Sequence, residues 1–308
     1  MGYVCLIGAM LGISFMYVFM KLFSGSVRNG LCVSLAFTVV FSLVATLACT
    51  IIGGGLPFHV TESILLAIAF SVVTIGFSLL GIVVVRLGSM SMYSMFATLG
   101  AIVISFLYGI IFNGEGATTS AWRYVAVVIM VISLVFPVLD DMRGKDKGDK
   151  KGTRLVFWIA CFLGFVVNGM TGPIMTVQEG VQKAGAEITS IQFCGLYMLF
   201  TAGLALVILA VLLLIPKTRP QAVQAKQILG VKPLLFSAGY GAVTCVGNSL
   251  NIEALSHGVP SSVQFPVVNG GVILVTALIG MFAFREKSGI LTKIGLGLTL
   301  IASVLFVL

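Results

Sequence analysis

Charge is what this chain lacks most: only 9% of its 308 residues are Asp, Glu, Lys or Arg, against 59% hydrophobic. A soluble globule needs far more polar surface, so a mean hydropathy of +1.15 excludes a water-exposed domain of this size. Histidine is scarce too, with His59 and His257 alone, and neither an HExxH nor a GxSG motif occurs. No aspartate lies in an apolar run, so an intramembrane enzyme would have no catalytic groups at depth, and enzymatic activity is not expected. Lys and Arg are missing from the middle of every apolar run, which leaves a phosphate or nucleotide sugar without its counter-charge. The six cysteines, Cys5, Cys32, Cys49, Cys161, Cys194 and Cys245, show no paired spacing. They read as small buried hydrophobes, with neither a disulfide framework nor a metal site expected.

What is present is apolar length. A bilayer core of roughly 30 Å needs about 20 apolar residues per helix. Charged and Gly/Pro-rich breaks cut the chain into ten such runs, at Met1 to Met20, Leu31 to Ile52, Ser63 to Val85, Ser89 to Phe112, Trp122 to Leu139, Leu155 to Val177, Thr189 to Ile215, Leu234 to Ser256, Pro260 to Phe284 and Ile290 to Leu308. They are continuously apolar, unlike the alternating segments of a transmembrane barrel. The expected fold class is therefore all-α integral membrane, with ten transmembrane helices. Counting Lys and Arg by loop puts sixteen in odd-numbered loops and two, Arg123 and Lys183, in the others. That bias predicts cytosolic odd-numbered loops and both termini outside. The net charge of +8 then serves topology and anionic headgroups, not nucleic acid. Lys21 and Arg28 follow the first run instead of preceding it, so an uncleaved first helix is expected. Asp140 to Arg154 contains all four aspartates beside six basic residues and reads as a flexible, charged cytosolic linker.

The chain also repeats itself. Val73 and Thr74 return as Val243 and Thr244, Leu80 as Leu250, Ile82 as Ile252, Gly88 as Gly258, Ser91 as Ser261 and Gly100 as Gly270, all at a spacing of 170 residues. One residue is gained before Gly109 matches Gly280 and Glu115 matches Glu286. The expected domains are residues 1–139 and 155–308, each a five-helix repeat, joined by 140–154. An odd number of spans per repeat inverts the second half in the membrane, which is the plan of secondary transporters.

Polar residues inside the runs are the candidate site. Span 8 carries Gly241, Thr244, Asn248 and Asn251 at helical spacing, and span 3 carries Ser71, Thr74, Ser78 and Gly81. Such stripes should face inward. Asn248 and Asn251 are expected to meet cargo, since an amide needs up to four hydrogen bonds; Thr74 and Ser78 are candidates too, with hydrogen bonding between helices as the alternative. Span 9 offers Ser262, Phe265, Pro266 and Asn269, and span 4 offers Met92, Tyr93, Met95, Phe96 and Leu99, as either a cavity wall or ordinary core. Asn168 precedes Gly169, Gly172 and Pro173, where a kink should free carbonyls beside a cavity. Glu253 is the one acidic residue inside a predicted span and the candidate for energy coupling, with an interfacial pair to His257 as the alternative.

Ten spans in two repeats, small-residue-rich fourth and ninth spans, and the turn Phe284-Arg285-Glu286-Lys287 leading to Gly295-Leu296-Gly297 resemble the drug/metabolite transporter superfamily in its EamA-like branch. The resemblance covers essentially the whole chain. It implies a central cavity lined mainly by spans 1, 3, 4, 6, 8 and 9. One departure is orientation, because many members have cytosolic termini. The expected function is alternating-access transport of a small neutral, zwitterionic or weakly cationic metabolite or drug across the cytoplasmic membrane, with export as one direction and the choice between import and export left open by the sequence. A sugar or nucleoside uptake symporter of the same fold is the alternative; a channel or a non-transporting receptor is the reading from another class. Expected partners are the substrate, the lipid bilayer and, through Glu253, protons, with no nucleic acid and no cofactor. The protein is expected as a monomer or homodimer.

Overall fold

A computed structural model describes residues 1–27, 30–87, 90–114, 120–144, 151–216, 218, 223–284 and 289–306. These form α1 (Gly2–Ser26), α2 (Leu31–Gly53), α3 (Thr61–Leu87), α4 (Met90–Phe112), α5 (Ala121–Gly144), α6 (Lys151–Gly169), α7 (Thr171–Lys183), α8 (Ser190–Leu214), a 3-10 turn (Gln224–Leu229), α9 (Val231–Ser256), α10 (Ser261–Phe282) and α11 (Ile290–Leu305). There is no strand among the described residues. Among the described residues, seven helical runs are long and apolar enough to cross a bilayer, which makes this a multi-pass helical membrane protein. Helix α9 is not among the seven although it has 26 residues. Its own polar stripe lowers its hydropathy. The sixth run is longer than its apolar stretch suggests, continuing from Leu155 to Lys183 over 29 residues.

The helices gather into two compact units, and each draws on both sequence halves. The first unit comprises Met1–Ile82 and Ile174–His257. Here α1 lies along α9, and α2 lies along both α8 and α9. Glycine sets the first approach: a Cβ on Gly12 would stand 2.8 Å from Gly247 Cα, so the two main chains touch. Gly241 of α9 likewise faces the Phe41 carbonyl of α2 with no room for a side chain. Beside that contact Tyr240 packs on Phe37 and Phe41, with ring centroids 5.0 and 4.6 Å away. Helix α3 joins through Ile75, which is buried with Leu35, Val39 and Ala205.

The second unit comprises Val83–Pro173 and Gly258–Leu308. Along α4, Met95, Leu99, Ile102 and Phe106 recur at helical spacing and form an apolar core with Met130, Ile273, Leu296 and Phe306. Helix α6 crosses α4 at Gly100, whose Cβ position is occupied by the Phe165 carbonyl. Helices α5 and α11 pair through Ser133 Oγ and Thr299 Oγ1, 3.0 Å apart.

Asp140, read from sequence as the start of the linker, belongs to α5 and anchors α11. Its Oδ2 accepts from Thr292 Oγ1 at 2.6 Å and from Thr292 N at 3.2 Å, in the first turn of α11. A carboxylate there satisfies an orphan N–H and complements the helix dipole. Gly289, with no side chain, gives the carboxylate its place. Of the predicted linker, residues 145–150 lie outside the described residues, as do Gly88, Glu115 and the Arg285-Glu286-Lys287 turn.

Candidate functional site

In the first unit, α7, α8 and α9 carry a group of buried and half-buried polar side chains. In α7 the residues Met175, Gln178, Glu179 and Gln182 stand at i, i+3, i+4 and i+7, so one helix face presents them all. Gln178 is fully buried, and neither its Oε1 nor its Nε2 has a hydrogen-bond partner in the protein. Glu179 is buried as well and pairs with Lys183 one turn on, whose side chain is 62% exposed. That pair ends at water, so its carboxylate is compensated while its contribution to stability stays small.

Helix α9 meets this face through Asn251, whose Nδ2 donates to the Met175 thioether at 3.7 Å. Sulfur is a weak acceptor, so this contact uses little of what an amide offers. One turn back, Asn248 Nδ2 donates to Tyr197 Oη of α8 at 2.8 Å. Tyr197 is fully buried, its ring tilted against that of Phe70 with centroids 4.3 Å apart, and Ser71 Oγ donates to its carbonyl at 2.7 Å. Thr244, one turn before Asn248, spends its hydroxyl on the Tyr240 carbonyl within its own helix. Thr74 does the same with Phe70, and Ser78 is half-buried on α3.

Glu253 faces a different neighbour from Asn251. Its Oε2 accepts from Ser190 Oγ at 2.9 Å, its Oε1 lies 3.6 Å from His257 Nδ1, and its side chain is 42% exposed. It therefore binds the end of α9 to the start of α8, where Thr189 and Gln192 form a capping box.

In the second unit the predicted site residues are mostly committed to the fold. Asn168 Nδ2 donates to the Ala97 carbonyl at 2.9 Å, and Asn269 Nδ2 to the Phe265 carbonyl at 2.9 Å. Met95 and Phe265 are buried, Met95 within the apolar core. Tyr93 is fully buried and its ring packs against Gly164, where a side chain would displace it. The side chains of Met92 and Ser262 lie outside the described residues. The expected joint in the sixth run is present: the helix breaks at Met170, whose N–H is shared between the Val166 and Val167 carbonyls, each at 3.2 Å. Thr171 Oγ1 then donates to the Asn168 carbonyl at 2.6 Å.

Sequence reasoning missed Gln178, Glu179, Gln182 and Tyr197. The first three follow the apolar run that was ended at Val177, and the signal for them was their spacing from Met175, which continues the same helix. Tyr197 carried no signal, since a tyrosine in a helix looks like any core aromatic until its hydroxyl partner is known. Among the described residues no three His, Cys, Asp or Glu side chains are placed to hold a metal ion.

No family model matches this chain, and no curated protein matches it. Among the solved structures that its fold is similar to is a protein solved by crystallography, at 13% identity and a TM-score of 0.56, over 99% of this chain and 95% of that one. At that identity the likeness concerns fold alone.

Proposed function

We propose that this protein is a secondary carrier of the kind its sequence resembles, with ten membrane helices in two inverted five-helix repeats. It moves a small neutral, zwitterionic or weakly cationic metabolite or drug by alternating access. The observation that carries the proposal is the Gln178 amide, buried with both polar atoms unpartnered on the same α7 face as the Met175 contact to Asn251. An amide serving only structure would be satisfied, because burying it unpaired is costly. A polar cargo satisfies it when bound. Neutral amides, a phenol and a thioether suit an uncharged or zwitterionic molecule, and Glu179 already has its counter-ion in Lys183. Asn248, Asn251 and Gln178 take the cargo contacts, while Asn168 and Asn269 support main-chain carbonyls.

Counterflow of preloaded substrate in proteoliposomes separates a carrier from a channel, since only a carrier exchanges. With Asn251→Leu, exchange is expected to fall roughly 5- to 150-fold, the equivalent of about 1–3 kcal/mol for one lost buried hydrogen bond. Thermal unfolding of the same variant separates a loss of exchange from a loss of fold. Exchange at the wild-type rate would remove Asn251 from the site.

Coupling to protons is assigned to Glu253, a carboxylate that water can reach and that two neighbours hold in place. Glu253→Gln keeps the shape and abolishes titration. Gradient-driven accumulation is expected to disappear while exchange survives. Accumulation that persists in the variant would leave Glu253 as a tie between the ends of α8 and α9.

A further inference from the structure

Three of the cysteines that looked unrelated in sequence come together inside the first unit. Cys49 of α2 and Cys245 of α9 have their sulfurs 2.7 Å apart, although 196 residues separate them in the chain. Cys194 of α8 stands beside them, within hydrogen-bond reach of Cys49 and 4.0 Å from the Cys245 carbonyl, with its Sγ 3.5 Å from Tyr197 Oη. Small residues make this possible. Gly241, one turn before Cys245, lets α9 reach the α2 main chain, and a Cβ on Gly195 would stand 2.9 Å from Cys49 Cβ, so α8 closes on α2 at the same level.

We propose that Cys49 and Cys245 are a site of oxidative modification, forming a disulfide that ties α2 to α9. All three thiols are buried, and among the described residues all are free cysteines. Only a small further approach, to about 2.05 Å, is needed to make the bond. Two of the three cysteines are also near helix ends, while Cys245 lies mid-way along α9. Cys49 lies one helical turn before Gly53 at the end of α2, and Cys194 one turn after Ser190 at the start of α8. The hydrogen bond from Gln192 Nε2 to the Gly53 carbonyl, 2.9 Å, closes that end. The distribution of Lys and Arg puts both of these helix ends on the non-cytosolic face, the side where disulfides persist.

The oxidant is a peroxide. One thiol, as its thiolate, attacks a peroxide oxygen; the O–O bond breaks, hydroxide leaves and takes up the proton as water, and a sulfenic acid remains. The second thiol displaces water from that sulfur, so two thiols and one hydrogen peroxide give one disulfide and two waters. Because burial slows such chemistry, the rate is set by opening of the Gln192–Gly53 closure.

The test uses the full-length protein in its membrane, treated with hydrogen peroxide or, in a parallel arm, with oxygen and the lipid-soluble copper–phenanthroline catalyst. After denaturation and alkylation, peptide mass spectrometry should find the Cys49 and Cys245 peptides joined and two hydrogens lighter, separable by dithiothreitol. The link should be lost in Cys245→Ser and kept in Cys194→Ser. Thermal unfolding of the oxidised protein should move up by a few degrees and return on reduction, with no such movement in Cys49→Ala. Cys49 and Cys245 fully alkylated after both arms, or a disulfide in which Cys194 replaces either of them, would overturn the proposal.

Discussion

Gln178→Leu is expected to make the protein more stable and to abolish transport. The two effects have one cause. In the folded protein the Gln178 amide is removed from water with no partner for either polar atom, a cost of about 1–3 kcal/mol that a leucine of similar size does not incur. The variant should therefore unfold a few degrees higher in detergent. Leucine also takes away the donor and acceptor that the cargo is proposed to use, so counterflow should fall to the level of empty liposomes. A purely structural glutamine predicts the opposite pairing, with stability lost and the transport rate per folded molecule intact. Thermal unfolding and counterflow measured on one preparation tell these apart. Lower stability with unchanged exchange would dismiss Gln178 from the site.

Gly100→Val is expected to prevent α4 and α6 from packing. A Cβ at position 100 would overlap the Phe165 carbonyl, which is main chain and cannot rotate away as a side chain could. The helices must move apart, and the Met95, Leu99 and Ile102 core on α4 moves with them. Overpacking of this kind costs about 1–3 kcal/mol and occasionally more. An obstruction by backbone belongs at the upper end. The measurement is the yield of monodisperse protein in detergent together with its unfolding temperature. Gly297→Ala is the control, because nothing stands within 4 Å of a Cβ there. It should be neutral, or slightly stabilising through helix propensity. If both variants fold equally well, the α4–α6 contact is not as close as described.

Some of the polar stripe was legible and some was not. Asn248 and Asn251 could be picked out because an amide in an apolar run is rare and costly wherever it points. Thr74 and Thr244 could not be assigned in the same way. A hydroxyl can satisfy itself on the carbonyl four residues back, as both do, and nothing in the local sequence distinguishes that from a ligand contact. Asn168 and Asn269 looked like Asn251 in sequence, yet their Nδ2 groups go to main-chain carbonyls. Asp140 looked like linker because charge surrounds it, and became a helix anchor only once Thr292 was beside it.

Membrane residence and helical structure were determined by the sequence alone, because hydropathy adds up along a continuous run and lipid leaves the backbone no other way to satisfy itself there. The placing of small residues was also legible, though not what each of them approaches. Only the tertiary structure decided which polar groups are satisfied and which are left, since each partner arrives from another helix: Met175 for Asn251, Tyr197 for Asn248, and none for Gln178. The same holds for Cys49 and Cys245. Their meeting depends on how closely α2, α8 and α9 pack at Gly195 and Gly241, which is a property of three helices together and of no one stretch of chain.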